Sequence, residues 1–220
     1  MQIPKVNVPA QINKIKEISQ EDLIKAINAC YDKTMQGLPG VKTSYELANE
    51  YLAKYHNPKT AAEKLINAQV KKCTTSGFIT GLGGLLTMAV AIPADLTACI
   101  FVQLQMISAI AVLGGYDPKD DEVRTVAYIC LTGESVAEAL NKMGVKISQK
   151  VGSKLIDKIP RTLLVKVNQK LGGRIITKFG SKGVINLCDL LPVVGGVIGG
   201  GFNYATTRKI GKIATKEFLR

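Results

Sequence analysis

The chain has one histidine, His56, and so one side chain that ordinarily trades a proton near neutral pH. It stands before Asn57-Pro58, where one helix is predicted to end and another to begin, so a solvent-facing or helix-capping role is expected rather than catalysis. Gly133-Glu134-Ser135-Val136-Ala137 approximates the GxSxG serine elbow, but it lacks the last glycine and falls inside a predicted helix instead of a strand-turn-helix corner. Nucleotide chemistry fares no better. Gly81-Leu82-Gly83 has Leu86 where GxGxxG needs its third glycine, and GLPGVKTS has Val41 where a phosphate loop needs glycine before Lys42. The acids of YDPKDDEV lack the glycine and spacing of a calcium loop. The five cysteines, Cys30, Cys73, Cys99, Cys130 and Cys188, are scattered without a CxxC pair, which is the pattern of small core residues in a reducing compartment and not of a zinc site. No nucleophile, base and oxyanion donor come together. A protein that is not an enzyme, with no cofactor and no metal, is expected.

The other available chemistry is attraction of anions. The net charge of +12 is uneven: residues 1–72 carry 11 basic and 7 acidic groups, residues 73–145 carry 3 and 7, and residues 146–220 carry 15 and 3. The excess opens at Lys146, Lys150, Lys154 and Lys158, continues at Arg161, and resumes at Lys166, Lys170, Arg174, Lys178 and Lys182. A four-residue step advances only about 40° around a helix, so each set forms a slowly winding stripe. Such a stripe is either a solvated face or a contact for an anionic lipid leaflet. Nucleic acid is disfavoured, because Phe179 is the one aromatic platform in the segment and no DNA-reading motif is present.

The elements that must carry these residues are helical. Ser19 with Asp22, and Thr43 with Glu46, form capping-box patterns, with Gly37 past the end of the first helix. Ile27, Cys30, Tyr31 and Thr34 share a face of that helix; Ala48, Tyr51, Leu52 and Tyr55 share one of the next. Asn57-Pro58 reads as an N-cap with proline in first position, opening a helix through Leu65, Ile66, Gln69 and Val70. Asp117-Pro118 is predicted to do the same for a single helix through KDDEVRTVAYICLTGESVAEALNKM. The closing segment from Asp189, a candidate cap, reads as an apolar glycine-rich helix with a basic C-terminal end. No alternating run supports a sheet. The fold expected is all-α: a compact multi-helix bundle around a central apolar helical hairpin, with no significant sheet. A helical segment over 1–57 precedes a main domain over 58–220.

That hairpin has arms at 74–91 and 94–113, divided at Pro93, and between Lys72 and Asp117 its one charged side chain is Asp95. Either arm could just span about 30 Å of hydrocarbon, or the pair could form a buried core. Asp95, Gln103 and Gln105 favour the core, since a central aspartate costs about 2.5–3.5 kcal/mol in a bilayer. Asp95 falls at a helix start, where a carboxylate can accept orphan backbone N–H groups. Gly77 with Gly81, and Gly195 with Gly199, are spaced for close helix approach, which also allows self-association through glycine-rich helices.

GFITGLGGLLTMAVAIPADLTACIFVQLQMISAIAVLGGYDPKDDEV and the ending LPVVGGVIGGGFNYATTRKIGKIA resemble the signature of EcsC-type bacterial proteins, over roughly residues 58–218. Gly77, Gly81, Gly83, Gly84, Pro93, Asp95, Gln103, Gln105, Gly114, Asp117, Pro192, Gly195 and Gly199 carry the likeness. The resemblance implies a helical, membrane-associated protein whose namesake is encoded beside a two-subunit ABC transporter, and it supplies no catalytic residue. Together with the charge pattern it points to a cytoplasmic protein held at the inner membrane, peripherally or by its hairpin, on anionic lipids or a membrane-protein partner. Lipid binding, or support of a transport or secretion system, would follow from that placement. The alternative is a soluble helical adaptor for a protein partner.

Overall fold

The computed structural model describes residues 20–74, 94–142, 144 and 198–219. Their seven helices are α1 (Gln20–Gln36), α2 (Ser44–Tyr55), α3 (Pro58–Thr74), α4 (Ala94–Leu113), α5 (Asp121–Leu131), α6 (Val136–Lys142) and α7 (Ile198–Phe218). No strand occurs among the described residues; one isolated bridge joins Leu38 to Val41 across a turn. The all-helical expectation is therefore met.

Local chemistry sets the helix ends. Gly37 terminates α1 at φ +84°, its N–H donating to Lys33 O at 2.9 Å. At α2, Thr43 N–H donates to the Glu46 carboxylate at 2.7 Å while Glu46 N–H donates to Thr43 Oγ1 at 3.1 Å, the reciprocal capping box expected there. His56 closes α2 in the left-handed region at φ 55° and is exposed, so the one histidine is a helix cap, as its position predicts. Asn57 Oδ1 then accepts from Lys59 and Thr60 N–H at 3.0 and 3.1 Å, opening α3.

Helix α4 is the axis. Every residue from Ile100 to Ala111 is buried, and α1, α2, α3, α5 and α7 all pack on it. A helix apolar all round needs such an enclosure, and the surrounding helices provide it with Ile27 and Tyr31 of α1, Leu47 of α2, Leu65 and Ile66 of α3, Val126 of α5 and Ile210 of α7. The second arm of the expected hairpin thus has the predicted bounds and lies in protein. Among the described residues, no helix is long and apolar enough to cross a membrane. The first arm, from residue 75 to Pro93, lies outside the described residues.

Three local readings are corrected. Asp117-Pro118 does not start a helix; Asp117 accepts from Lys119 N–H at 3.0 Å and from the Tyr45 hydroxyl, so it organises a turn, and α5 begins at Asp121. The single helix foreseen after it breaks at Gly133, whose φ is +78°, and restarts where Ser135 and Glu138 form a second capping box. The GESVA stretch is therefore a helix break, and Ser135 is occupied as a cap. On α2 Ser44, Leu47 and Ala48 are buried and Tyr51 and Tyr55 pack partly buried against the core, so of the face expected there only Leu52 turns outward.

Candidate functional site

Two places concentrate polar chemistry: a line of amides and thiols along α4, and the outer face of α7. The first begins with Gln105. Its Oε1 accepts from Gln69 Nε2 at 3.0 Å and its Nε2 donates to Lys42 O at 2.6 Å, so one buried amide joins α3 to the turn before α2. Two residues earlier, about 200° around the same helix, Gln103 faces α7, where Nε2 donates to Thr207 Oγ1 at 3.0 Å and to Cys99 Sγ at 3.4 Å. Gln69 Oε1 and Gln103 Oε1 accept nothing among the described residues. Both glutamines singled out from the sequence are therefore interior connectors that fix α4 against its neighbours. An amide pair in a low-dielectric core is costly to break, so it specifies the register of these helices.

A second internal tie joins α1 to α5. Arg124 reaches Asp32 at 2.7 Å with its guanidinium 4.8 Å from the Tyr31 ring centroid, and Tyr31 meets Tyr128 edge-on at 5.4 Å. Tyr31 donates to Pro118 O at 2.8 Å and Tyr128 to Asn28 Oδ1 at 2.6 Å. Burial pushes both phenols above the ordinary tyrosine range, so these hydroxyls stay protonated donors.

Helix α7 divides its surface. Thr207, Ile210, Gly211, Ala214, Glu217 and Phe218 are buried, and on the other side Lys209, Lys212 and Lys216 are exposed beside Arg208. A groove of about 410 Å³ runs along that side, lined by Ala205, Arg208, Lys209, Lys212, Ile213 and Lys216. The spacing of 208, 212 and 216 puts three cations in one row. Among the described residues, the acids nearest this row make no ion pair with it. Glu217 faces inward, accepting from Val136 N–H at 3.3 Å, and burial raises its carboxyl above the ordinary range. Glu138 is engaged by Ser135, whose N–H and hydroxyl hold its carboxyl below the ordinary range ahead of weaker help from Lys142 and Lys209.

Two glycines allow α7 to seat this way. A Cβ on Gly211 would lie 2.6 Å from Ile66 Cγ1 of α3, and one on Gly114, just past α4, would lie 2.1 Å from Phe218 O. Close helix approach through glycine is thus real here, at Gly211 and Gly114. Of the glycines named for it from the sequence, Gly77, Gly81, Gly84 and Gly195 lie outside the described residues, and Gly199 stands in the first turn of α7.

The remaining residues singled out fall as follows. Asp95 is the second residue of α4, at the helix start expected for it. Lys146, Lys150, Lys154, Lys158, Arg161, Lys166, Lys170, Arg174, Lys178 and Lys182 lie outside the described residues, as do Pro93, Asp189 and Pro192. The α7 cations were visible in the sequence only as a basic helix end; their alignment depends on which face of α7 is buried. Among the described residues, no three His, Cys, Asp or Glu side chains are grouped to hold a metal ion.

Compared with known proteins, the chain matches the family model described as the EcsC protein family over residues 8–220, so the likeness extends through α1 and α2 as well as the blocks quoted above. No curated protein and no solved structure matches it.

Proposed function

The chain belongs to the EcsC protein family, and from that premise we propose that it is a non-enzymatic protein docking on the anionic cytoplasmic leaflet of a membrane through charge. The observation that carries this reading is the cationic row of α7, Arg208, Lys212 and Lys216 with Lys209 beside it, turned away from the core and forming a groove. The Lys146–Lys182 segment adds ten more cations to the same third of the chain. Helix α4 is enclosed on all sides, so grip from that apolar arm is spent inside the protein. Docking is peripheral and electrostatic on this reading, with phospholipid headgroups as the ligand.

The non-catalytic half of the proposal rests on where reactive groups are used. His56 caps α2, Ser135 caps α6, and Asp117 holds Tyr45 and a turn. Ser135 and Asp117 are each held by a structural partner, and His56 closes its helix through the backbone with its ring exposed.

Vesicle co-sedimentation tests the reading. Binding is expected to phosphatidylcholine vesicles containing phosphatidylglycerol and not to phosphatidylcholine alone, with loss of binding as salt rises. Each cation held at the surface is worth about 1 kcal/mol, so replacing Arg208, Lys209, Lys212 and Lys216 by glutamine should weaken partition at least about tenfold. Replacing Lys146, Lys150, Lys154 and Lys158 by glutamine tests the other stripe in the same assay. Equal binding to both vesicle types, or binding indifferent to both sets of substitutions, would remove the leaflet from the account and favour a protein partner.

A further inference from the structure

Cys73 stands one residue before the end of α3, and Cys99 stands in the second turn of α4. They are 26 positions apart in sequence, yet their sulfurs are 3.9 Å apart, with the Cys99 thiol donating toward Cys73. Both are reduced and neither is fully buried. A disulfide needs about 2.05 Å between sulfurs, so the two must approach by roughly 2 Å to bond.

The surroundings favour reaction at Cys73. Hydrogen bonding from Cys99 holds its thiol below the ordinary range, with Thr207 and the Lys72 cation acting in the same direction and burial acting against them. Gln103 Nε2 donates to Cys99 Sγ at 3.4 Å and to Thr207 Oγ1 at 3.0 Å, so one amide orients both groups that face Cys73. The other described cysteines contrast with this pair. Cys30 and Cys130 are buried, and burial pushes the Cys30 thiol up to about 12 and Cys130 well above its usual range. A thiolate is the nucleophile in sulfur oxidation, so reactivity separates the two sets.

We propose that Cys73 and Cys99 are a peroxide-reactive dithiol that closes reversibly into a disulfide between α3 and α4. Cys73 thiolate attacks one oxygen of a hydroperoxide, the O–O bond breaks, and the second oxygen leaves as water (or alcohol) after taking a proton. Cys73 is then a sulfenic acid. The Cys99 sulfur attacks the Cys73 sulfur, the S–O bond breaks, and the hydroxyl leaves as water with the Cys99 proton. Two thiols are oxidised by two electrons, one peroxide is reduced, and a small dithiol restores the starting state by exchange. The bond would fasten the last turn of α3 to the second turn of α4.

The full-length protein is treated with equimolar hydrogen peroxide, digested under thiol-blocking conditions and mapped by mass spectrometry. A Cys73–Cys99 linked peptide is expected, with loss of two thiols per chain, full recovery with dithiothreitol, and a rise in Tm of several degrees in the oxidised form. In Cys99→Ser a sulfenic acid at Cys73 is expected to accumulate and to be trapped by dimedone. Cys73→Ser is expected to slow peroxide consumption at least tenfold. Absence of the linked peptide in the wild-type protein would overturn the proposal without recourse to any variant. So would a dominant link through Cys188 or between chains.

Discussion

Helices α4 and α7 are nearly equal in length, at 20 and 21 residues, and serve opposite purposes. Helix α4 hides its whole circumference and carries amides only where a neighbour can meet them, at Gln103 and Gln105. Helix α7 hides one side and leaves a row of cations on the other. Apolar content alone does not locate the surface a helix presents. The greasiest described helix is the one most completely buried, and the charged helix is the one that turns cations outward.

Substitutions can break that contrast or refine it. The largest effect is expected at Phe101, fully buried in α4: Phe101→Ala should cost about 3–5 kcal/mol in denaturant unfolding. Gln105→Leu comes next. It strands Gln69 Nε2 and Lys42 O, for an expected loss of about 1–3 kcal/mol. Adding Gln69→Leu should recover part of that loss, because removing both partners leaves fewer unpaired groups; a double variant less stable than the single one would contradict the connector role.

Glu217, on the buried side of α7, gives a pH signature. Its folded carboxyl is raised by burial, so its contribution to stability is present below the ordinary carboxylate range and is lost as pH rises through the folded value. Glu217→Gln should therefore gain in Tm relative to the wild type as pH rises above the ordinary carboxylate range, and a difference independent of pH would refute the assignment. The smallest stability effect belongs to the outer face. Glutamine at Arg208, Lys209, Lys212 and Lys216 together should shift unfolding by no more than about 1 kcal/mol while abolishing most vesicle binding. A large stability loss would mean that this face is packed rather than presented.

Much of the fold was legible in the sequence because helix ends are written locally. Thr43 with Glu46, Asn57 before Pro58, and Gly37 each satisfy backbone groups within four residues, and the bounds of α4 follow from Pro93 and Gly114. The break at Gly133 was hidden because the apolar spacing continues across it and only the Ser135–Glu138 cap reveals the restart. Tyr45 meeting Asp117, and Cys73 meeting Cys99, are contacts between segments whose spacing along the chain says nothing about their separation in space. In the sequence, cations are densest at Lys146–Lys182. The α7 row becomes visible only once Ile210, Ala214 and Phe218 show which way the helix faces.

The bond between Gln103 and Thr207 joins residues 104 positions apart. A ribosome adding about 5–20 residues each second needs several seconds to supply the second partner after the first has emerged. Through that interval the flank of α4 destined for α7 lacks that partner, and the young polypeptide presents an apolar strip with one waiting glutamine, Gln103. A chaperone has time to occupy it before α7 arrives.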